Sequence, residues 1–182
     1  VWEWQDSEGR FWDIYDVPFK GADESPLVME MALDVTQRKQ AEAALRRSET
    51  RLAEAQRLGK VGSWEFDMQT GEIWGSDEGF RIYGMTPPPS NLLAVEEIEA
   101  CIPERERVHQ ALVDLINEDK AYDLEFDILP ADGSPRTTIT SRAKLERDEQ
   151  GNPLRVSGVI LDITDRKRAQ ETLRRSEELW RM

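Results

Sequence analysis

The stretch DVTQRKQAEAALRRSE that starts at Asp34 returns as DITDRKRAQETLRRSE starting at Asp162. Self-similarity over a run this long marks one structural module used more than once, and it divides the chain before any single element is assigned. The likeness continues upstream, where EGRFWDIYDVPFKGADESPLVMEMALDVT from Glu8 parallels DGSPRTTITSRAKLERDEQGNPLRVSGVILDIT from Asp132. Val1 to Thr36 is therefore expected to hold the last strands of one copy and Val61 to Thr164 a complete second one. Residues 37–60 are expected to link them as a helix, and residues 165–182 to leave the second copy as another.

Composition removes several functions. A net charge of -13 repels phosphate backbones and anionic lipid, so neither nucleic acid nor a membrane surface is an expected partner. One Cys and one His supply neither a disulfide framework nor a Cys/His zinc cluster, and no metal site is expected. No apolar run approaches the roughly 18 residues of a spanning helix, which points to a cytoplasmic chain without membrane insertion in this stretch. There is no Gly-rich phosphate loop and no recognisable nucleophile–base motif, so no catalytic residue is assigned and the chain is not read as an enzyme.

Both connectors read as helices. Asp34 or Thr36, and Asp162 or Thr164, suit an N-cap, and good helix formers follow without Gly or Pro until Gly59. Ala41, Leu45, Ser48, Leu52 and Ala55 recur at steps of four and three, as do Ala169, Leu173, Ser176 and Trp180, which is a coiled-coil-like seam. Seams this short need the adjoining domains to dimerise; the alternative is a helix packed on its own domain.

Between the connectors, Trp64, Phe66 and Met68 alternate with Glu65 and Asp67, turn at Gln69-Thr70-Gly71 and run into Ile73-Trp74, which is a hairpin with one buried face. Ser76-Asp77-Glu78 is expected to cap a short helix that carries Phe80, Ile82 and Tyr83 and stops at Gly84; another is expected around Val95 to Cys101, and a longer one with Pro103 in its first turn, ending near Asn117 and carrying Val108, Leu112, Leu115 and Ile116 as one stripe. The period then changes to two: Tyr122, Leu124, Phe126 and Ile128 alternate with Asp123, Glu125 and Asp127. Turns at Ala131-Asp132-Gly133 and Gln150-Gly151-Asn152-Pro153 bring in two further strands. The order strand, strand, helices, strand, strand, strand is an α+β fold, an antiparallel sheet with helices on one face.

The runs LAEAQRLGKVGSWEFDMQTGEIWGSDEGFRIYGM, YDLEFDILPADGSPR and GVILDITDRKRAQETLRRSE together resemble a PAS domain of the fold-3 type. The resemblance covers Val61 to Thr164 with both flanking helices, and Val1 to Thr36 is similar to the closing strands of a preceding PAS domain. It implies a five-stranded antiparallel sheet in spatial order 2-1-5-4-3 cradling a pocket. It also implies residence in a bacterial histidine kinase, diguanylate cyclase or related signalling protein, as a homodimer joined covalently to an effector domain beyond this chain. A sensory module that relays a ligand or partner state is one reading, and a spacer that dimerises and transmits without a ligand is the other.

Candidate residues fall into two groups. Asp162 and Thr164, with Asp34 and Thr36 in the upstream copy, resemble the family's strand-to-helix junction. Such a joint needs side chains that bond nearby backbone donors and cap the helix. Trp64, Phe66, Trp74, Phe80, Tyr83, Leu112 and Phe126 either line a small-molecule pocket or simply fill the core. His109 joins them on geometry: at about 100° per residue it lies roughly 60° from Leu112 and roughly 20° from Ile116, at the edge of the stripe. Some PAS domains bind haem through a His on this helix, but a lone His beside a core stripe is more often a hydrogen-bonded wall residue, and haem through His109 is not expected. Cys101 lacks the Asn-Cys-Arg setting of flavin-adduct photoreceptors, so it is read as a small buried hydrophobe. Glu125 and Arg136 are expected to face each other across neighbouring strands. The strands of Val1 to Thr36 are expected to leave one apolar face without helices to cover it.

Overall fold

The computed structural model describes residues 1–180, without the side chains of Leu179 and Trp180. Arg181 and Met182, the end of the expected C-terminal helix, and the side chain of Trp180, the last position of its seam, lie outside the described residues. The chain forms two compact units, Val1–Leu52 and Ala53–Met182.

In the first unit, β1 (Trp2–Gln5), β2 (Phe11–Lys20) and β3 (Pro26–Asp34) form an antiparallel sheet in that order. Asp6 holds the β1–β2 turn: its carboxylate accepts from the backbone N–H of Glu8 and Arg10 and from the indole of Trp12 at 3.1 Å. Strand alternation puts Trp2, Trp4, Trp12 and Ile14 on one side and Tyr15, Val17 and Phe19 on the other. Both sides are apolar and largely exposed, where the sequence analysis expected only one. Strand β3, Pro-Leu-Val-Met-Glu-Met-Ala-Leu-Asp, places Val28 and Ala32 on one side and Leu27, Met29, Met31 and Leu33 on the other, so it adds apolar groups to both. Helix α1 (Thr36–Gly59) follows and buries no residue along its length; Leu45 and Leu52 of the expected seam both face solvent. It is not packed on a domain of its own.

The second unit opens with β4 (Val61–Asp67) and β5 (Glu72–Gly75), then α2 (Asp77–Ile82), β6 (Leu92–Ala94), α3 (Val95–Glu99) and α4 (Arg105–Glu118). It closes with β7 (Tyr122–Ile128), β8 (Thr137–Arg147) and β9 (Pro153–Asp162), and α5 (Thr164–Trp180) leaves it. The sheet runs β6-β5-β4-β9-β8-β7, antiparallel throughout. Its inner five strands have the expected order; the sixth, β6, was not foreseen. It adds only three pairs to β5, and it is set by Asn91, whose φ of 54° turns the chain while its amide donates to the Gly75 carbonyl at 3.1 Å and to Asp77 at 3.0 Å. A three-residue edge strand has no room for alternation, so periodicity does not reveal it. Helix α4 starts at Arg105, slightly later than Pro103 suggests, and stops at Asp119, which takes a left-handed φ of 52°.

The core lies between the inner sheet face and these helices. Ile128, Ile139 and Val156 are fully buried beside Phe126 and Ile160 on the sheet, and Val108 and Leu115, two turns apart on α4, join the same core from the helix side. Each aliphatic side chain so buried contributes about 1.5–3 kcal/mol. Helix α2 is pinned by Ser76, whose hydroxyl accepts from Gly79 N–H at 3.2 Å and from Ser63 N–H at 3.0 Å, fixing the helix start and β4 with one oxygen. The two backbones touch there: a Cβ on Gly62 would sit 2.5 Å from the Gly79 Cα. Gly62→Ala should therefore drive β4 from α2 and cost about 1–3 kcal/mol, read as a lowered denaturant midpoint with unchanged slope. A midpoint equal to wild type would show that the contact is not confining.

Candidate functional site

A row of cross-strand neighbours, Tyr122, Ala143, Gly158 and Trp64, crosses the inner sheet face. The two small residues make space for the indole: a Cβ on Gly158 would meet Trp64 at 2.5 Å. Trp64 thus lies across Gly158 and meets Tyr122 edge-on, with ring centroids 6.1 Å apart at 69°. Above this row, α2, α3 and α4 leave a cavity of about 80 Å3. Its walls are mainly apolar.

Of the pocket candidates, Trp64, Phe80, Tyr83, His109, Leu112 and Phe126 line this cavity; Phe66 and Trp74 do not. Trp74 has the opposite parity from Ile73, which does line it, and so faces outward with 37 % exposure. Phe66 shares the inner face with Trp64 but packs against the core beyond the cavity. Sequence reasoning passed over Tyr122 and Ser141. Tyr122 opens the alternating run from which only Phe126 was chosen, and Ser141 is a polar residue at inward parity between Ile139 and Ala143, a signal that was present.

The polar groups are few. Tyr83 is buried; burial pushes its phenol up, with Tyr122 and Cys101 nearby adding to the effect. Burial likewise pushes the Tyr122 phenol up to about 12, against a hydrogen bond from Ser141. At the rim, His109 Nδ1 lies 2.6 Å from Glu99 Oε1, joining α4 to α3, with the imidazole about half exposed. Cys101 is buried outside the cavity lining, and its thiol is pushed up by burial.

The strand-to-helix joint is built the same way in both units. Asp162 Oδ1 accepts from Thr164 N–H at 2.9 Å, and Thr164 Oγ1 accepts from Thr138 N–H at 3.0 Å, while Ile163 N–H donates to the Thr138 carbonyl at 2.9 Å. In the first unit Asp34 Oδ1 accepts from Thr36 N–H at 2.9 Å, Thr36 Oγ1 from Phe11 N–H at 2.8 Å, and Val35 N–H donates to the Phe11 carbonyl at 2.9 Å. Val35 and Ile163, between the bonded pairs, are both buried. The first helical turn is then tied back to the sheet, by Arg38 to Asp13 and Lys39 to Glu3, and by Arg166 and Lys167 to Glu125. Glu125 therefore does not face Arg136. The ladder sets Glu125 opposite Thr140 and Ile128 opposite Thr137, leaving Arg136 beyond the paired segment, where it reaches Asp127 at 3.3 Å. Lys60, just after α1, donates to Asp165 at 2.8 Å and accepts the Asp162 N–H at its carbonyl, and the Asp165 bond raises its amine.

An antiparallel sheet, helices over one face, a small cavity between them and a bonded strand-to-helix exit define a sensor-type module. Residues 72–160 match the PAS fold family, and the chain belongs to it. A crystal structure of a sensory box histidine kinase/response regulator from Burkholderia thailandensis is 30% identical, with a TM-score of 0.56 over 72% of this chain and 99% of that one. Among curated proteins, Sensor protein FixL of Bradyrhizobium diazoefficiens is 30% identical over 64% of this chain, and a blue-light-activated histidine kinase of Brucella ovis is 30% identical over 68%. The chain spans only 23% and 24% of those relatives. A diguanylate cyclase PAS/PAC sensor domain from Marinobacter aquaeolei shares the fold at 21% identity and a TM-score of 0.52, over 59% of this chain and 98% of that one. PAS domains are sensory modules of signalling proteins and not catalytic ones. No helix among the described residues is long and apolar enough to cross a membrane.

Thr164→Val keeps the size of the side chain and removes the acceptor of Thr138 N–H. It should cost about 1–2 kcal/mol and speed amide exchange in the first turn of α5, while β4 and β9 amides keep their protection. Thr36→Val should do the same to α1. Uniform loss of protection across the sheet would show that the threonine supports the whole fold and not the joint.

Proposed function

We propose that the second unit is a sensory and dimerising module, which passes the state of its cavity through the Asp162–Thr164 joint into α5 and on to an effector outside this chain. The observation that carries this reading is the joint itself, repeated bond for bond at Asp34–Thr36. An ordinary helix cap needs only one side-chain acceptor. Here the threonine hydroxyl and the backbone N–H of the residue before it both bond the neighbouring strand, at Thr138 or Phe11, while the aspartate holds the threonine amide, and basic residues fasten the first turn. A strand displaced by a ligand must then carry the helix with it. The matching ladders of the two sheets, with Trp4, Trp12 and Asp34 in one row and Phe126, Ile139 and Asp162 in the other, support reading Val1 to Thr36 as the closing strands of an upstream PAS domain.

The cavity favours a small uncharged ligand. A dry apolar void of about 150 Å3 accepts benzene, and this one is about 80 Å3. A haem or a flavin ring system is larger than this volume, and Cys101 is not in the lining. The light activation in the name of the Brucella relatives is therefore not carried over. A short-chain alcohol suits apolar walls that include the Tyr83 and Tyr122 phenols.

Saturating short-chain alcohols should raise the melting point of the chain, as any ligand of the native state does, and Tyr83→Phe should lose most of that rise. If no compound moves the melting point and native mass spectra show only the bare chain, the spacer reading stands instead. In the full-length parent, Asp162→Ala should alter effector output with little change in the melting point of the isolated chain. Unchanged output from a module that unfolds would reduce Asp162 to a structural residue.

A further inference from the structure

Because the two sheets share one ladder, each position of the first has a counterpart in the second, and the side that faces the cavity can be compared row by row. Phe126, Ser141 and Ile160, which line the cavity of the second unit, correspond to Trp4, Ile14 and Ala32. These three, with Trp2, Trp12 and Glu30, line an open hollow of about 390 Å3 on the first sheet. In the row beyond, the small residues Ala143 and Gly158 correspond to Asp16 and Glu30, two carboxylates directly opposite each other on β2 and β3.

Charge at these strand ends is therefore inverted between the units. In the second unit it lies away from the cavity, where Arg155 is bonded to Glu146 at 2.8 Å and to Glu65 at 3.1 Å. The first unit has Val17, Phe19, Leu27 and Met29 at the outward positions that match Lys144, Glu146, Arg155 and Ser157, and keeps its carboxylates on the cavity side. Like charges set opposite one another weaken a sheet, and charge at an inward position is costly unless something neutralises it. Among the described residues neither Asp16 nor Glu30 has a basic partner; Asp16 accepts the Trp2 indole N–H at 3.0 Å.

We infer that the hollow binds a small organic cation, a methylated ammonium group seated on the tryptophans, with Glu30 in the lining and Asp16 behind Trp2 balancing its charge. The inference rests on reading Val1 to Thr36 as the closing strands of an upstream PAS domain, and it gives the cavity of that domain a ligand class unlike that of the second unit. An indole face attracts a cation lying within about 6 Å of the ring centroid, more strongly than any other side-chain ring. Trp2 and Trp4 are 49% and 50% exposed, so both are open to a ligand, and the bond to Asp16 holds Trp2 in place. This unit already uses the geometry, since the Arg10 guanidinium lies 5.6 Å from the centroid of the Trp12 ring. A metal ion does not suit the hollow, because hard cations take about six oxygen ligands and indoles supply none. A primary ammonium ion is strongly hydrated and would give up more water than these walls replace. A methylated ammonium carries the charge that the carboxylates require on a surface that indoles solvate well.

Choline is the probe, and its uncharged carbon analogue, with a tert-butyl group in place of trimethylammonium, is the control. Titrated into the whole chain, choline should show a saturable upfield shift of its methyl protons from the indole ring currents, and the analogue should bind at least about 10-fold more weakly. Glu30→Gln keeps the size of the side chain and removes one charge. It should weaken choline by about 5-fold or more while the amides of β2 and β3 keep or gain protection, since a like-charge pair is relieved. Trp4→Leu should abolish the saturable shift with an unchanged far-ultraviolet circular dichroism spectrum; should that variant fail to fold, Glu30→Gln decides. Equal binding of the analogue reduces the hollow to an apolar surface, and a shift that does not saturate, or that Glu30→Gln leaves untouched, puts no cation here. Either result overturns the inference and leaves the relay reading of the second unit intact. Choline binding by the chain but not by the full-length parent would mean that a basic side chain of the upstream segment fills the hollow, and would also overturn it. In the parent, the β3 amides that point away from β2 should gain protection from an upstream strand. If they do not, the closing-strand reading fails, while choline binding measured on the chain still decides the site.

Discussion

A single threonine hydroxyl at the end of each sheet accepts the backbone N–H of a neighbouring strand while its own amide is held by the aspartate two residues earlier. Backbone groups at the end of a strand and at the start of a helix are the ones that regular structure leaves without partners. The Asp-x-Thr sequence satisfies donors from both elements at one point, which removes the slack a loop would introduce. The buried residue between them, Val35 or Ile163, anchors the joint in each unit. The direction in which α1 and α5 leave their sheets follows from this arrangement, and so do the ion pairs that only such a direction brings within reach.

The cavity depends on a different economy. Gly158 gives up side-chain volume so that Trp64 lies across it, and Gly62 lets β4 meet the backbone of α2 at Gly79. The helices are thereby held close, and the space left beneath them is small. Tyr83 and Tyr122 bring hydroxyls into that space, and burial keeps both phenols protonated far above neutral pH. The interior can therefore donate a hydrogen bond without carrying a charge.

Much of this was legible in the sequence. The alternation of Tyr122, Leu124, Phe126 and Ile128 gave the strand and its inward face, and the repeated Asp-x-Thr gave the joint. What escaped was set by pairing and not by local pattern. Strand β6 exists because Asn91 bonds across to Gly75, Arg136 meets Asp127 because the ladder ends at Thr137, and Trp74 faces outward because its parity is fixed by Ile73. Aromatic character alone does not say which face a residue takes, so Phe66 and Trp74 were grouped with residues that the register separates from them.

The unlike outer faces of the two sheets bear on how such a polypeptide reaches its native state. Tandem copies with matching ladders are prone to exchange strands while folding, since an edge of one copy offers hydrogen bonds suited to the other. Hydrogen bonds do not tell the copies apart, but side chains do. A strand carrying Val17 and Phe19, set where Lys144 and Glu146 belong, would strip Arg155 of Glu146, one of its two carboxylate partners beside Glu65, and place apolar groups amid solvated charge. The repeat thus keeps its geometry in common and differs in surface chemistry at these strand ends, which lets neighbouring copies be alike without becoming interchangeable.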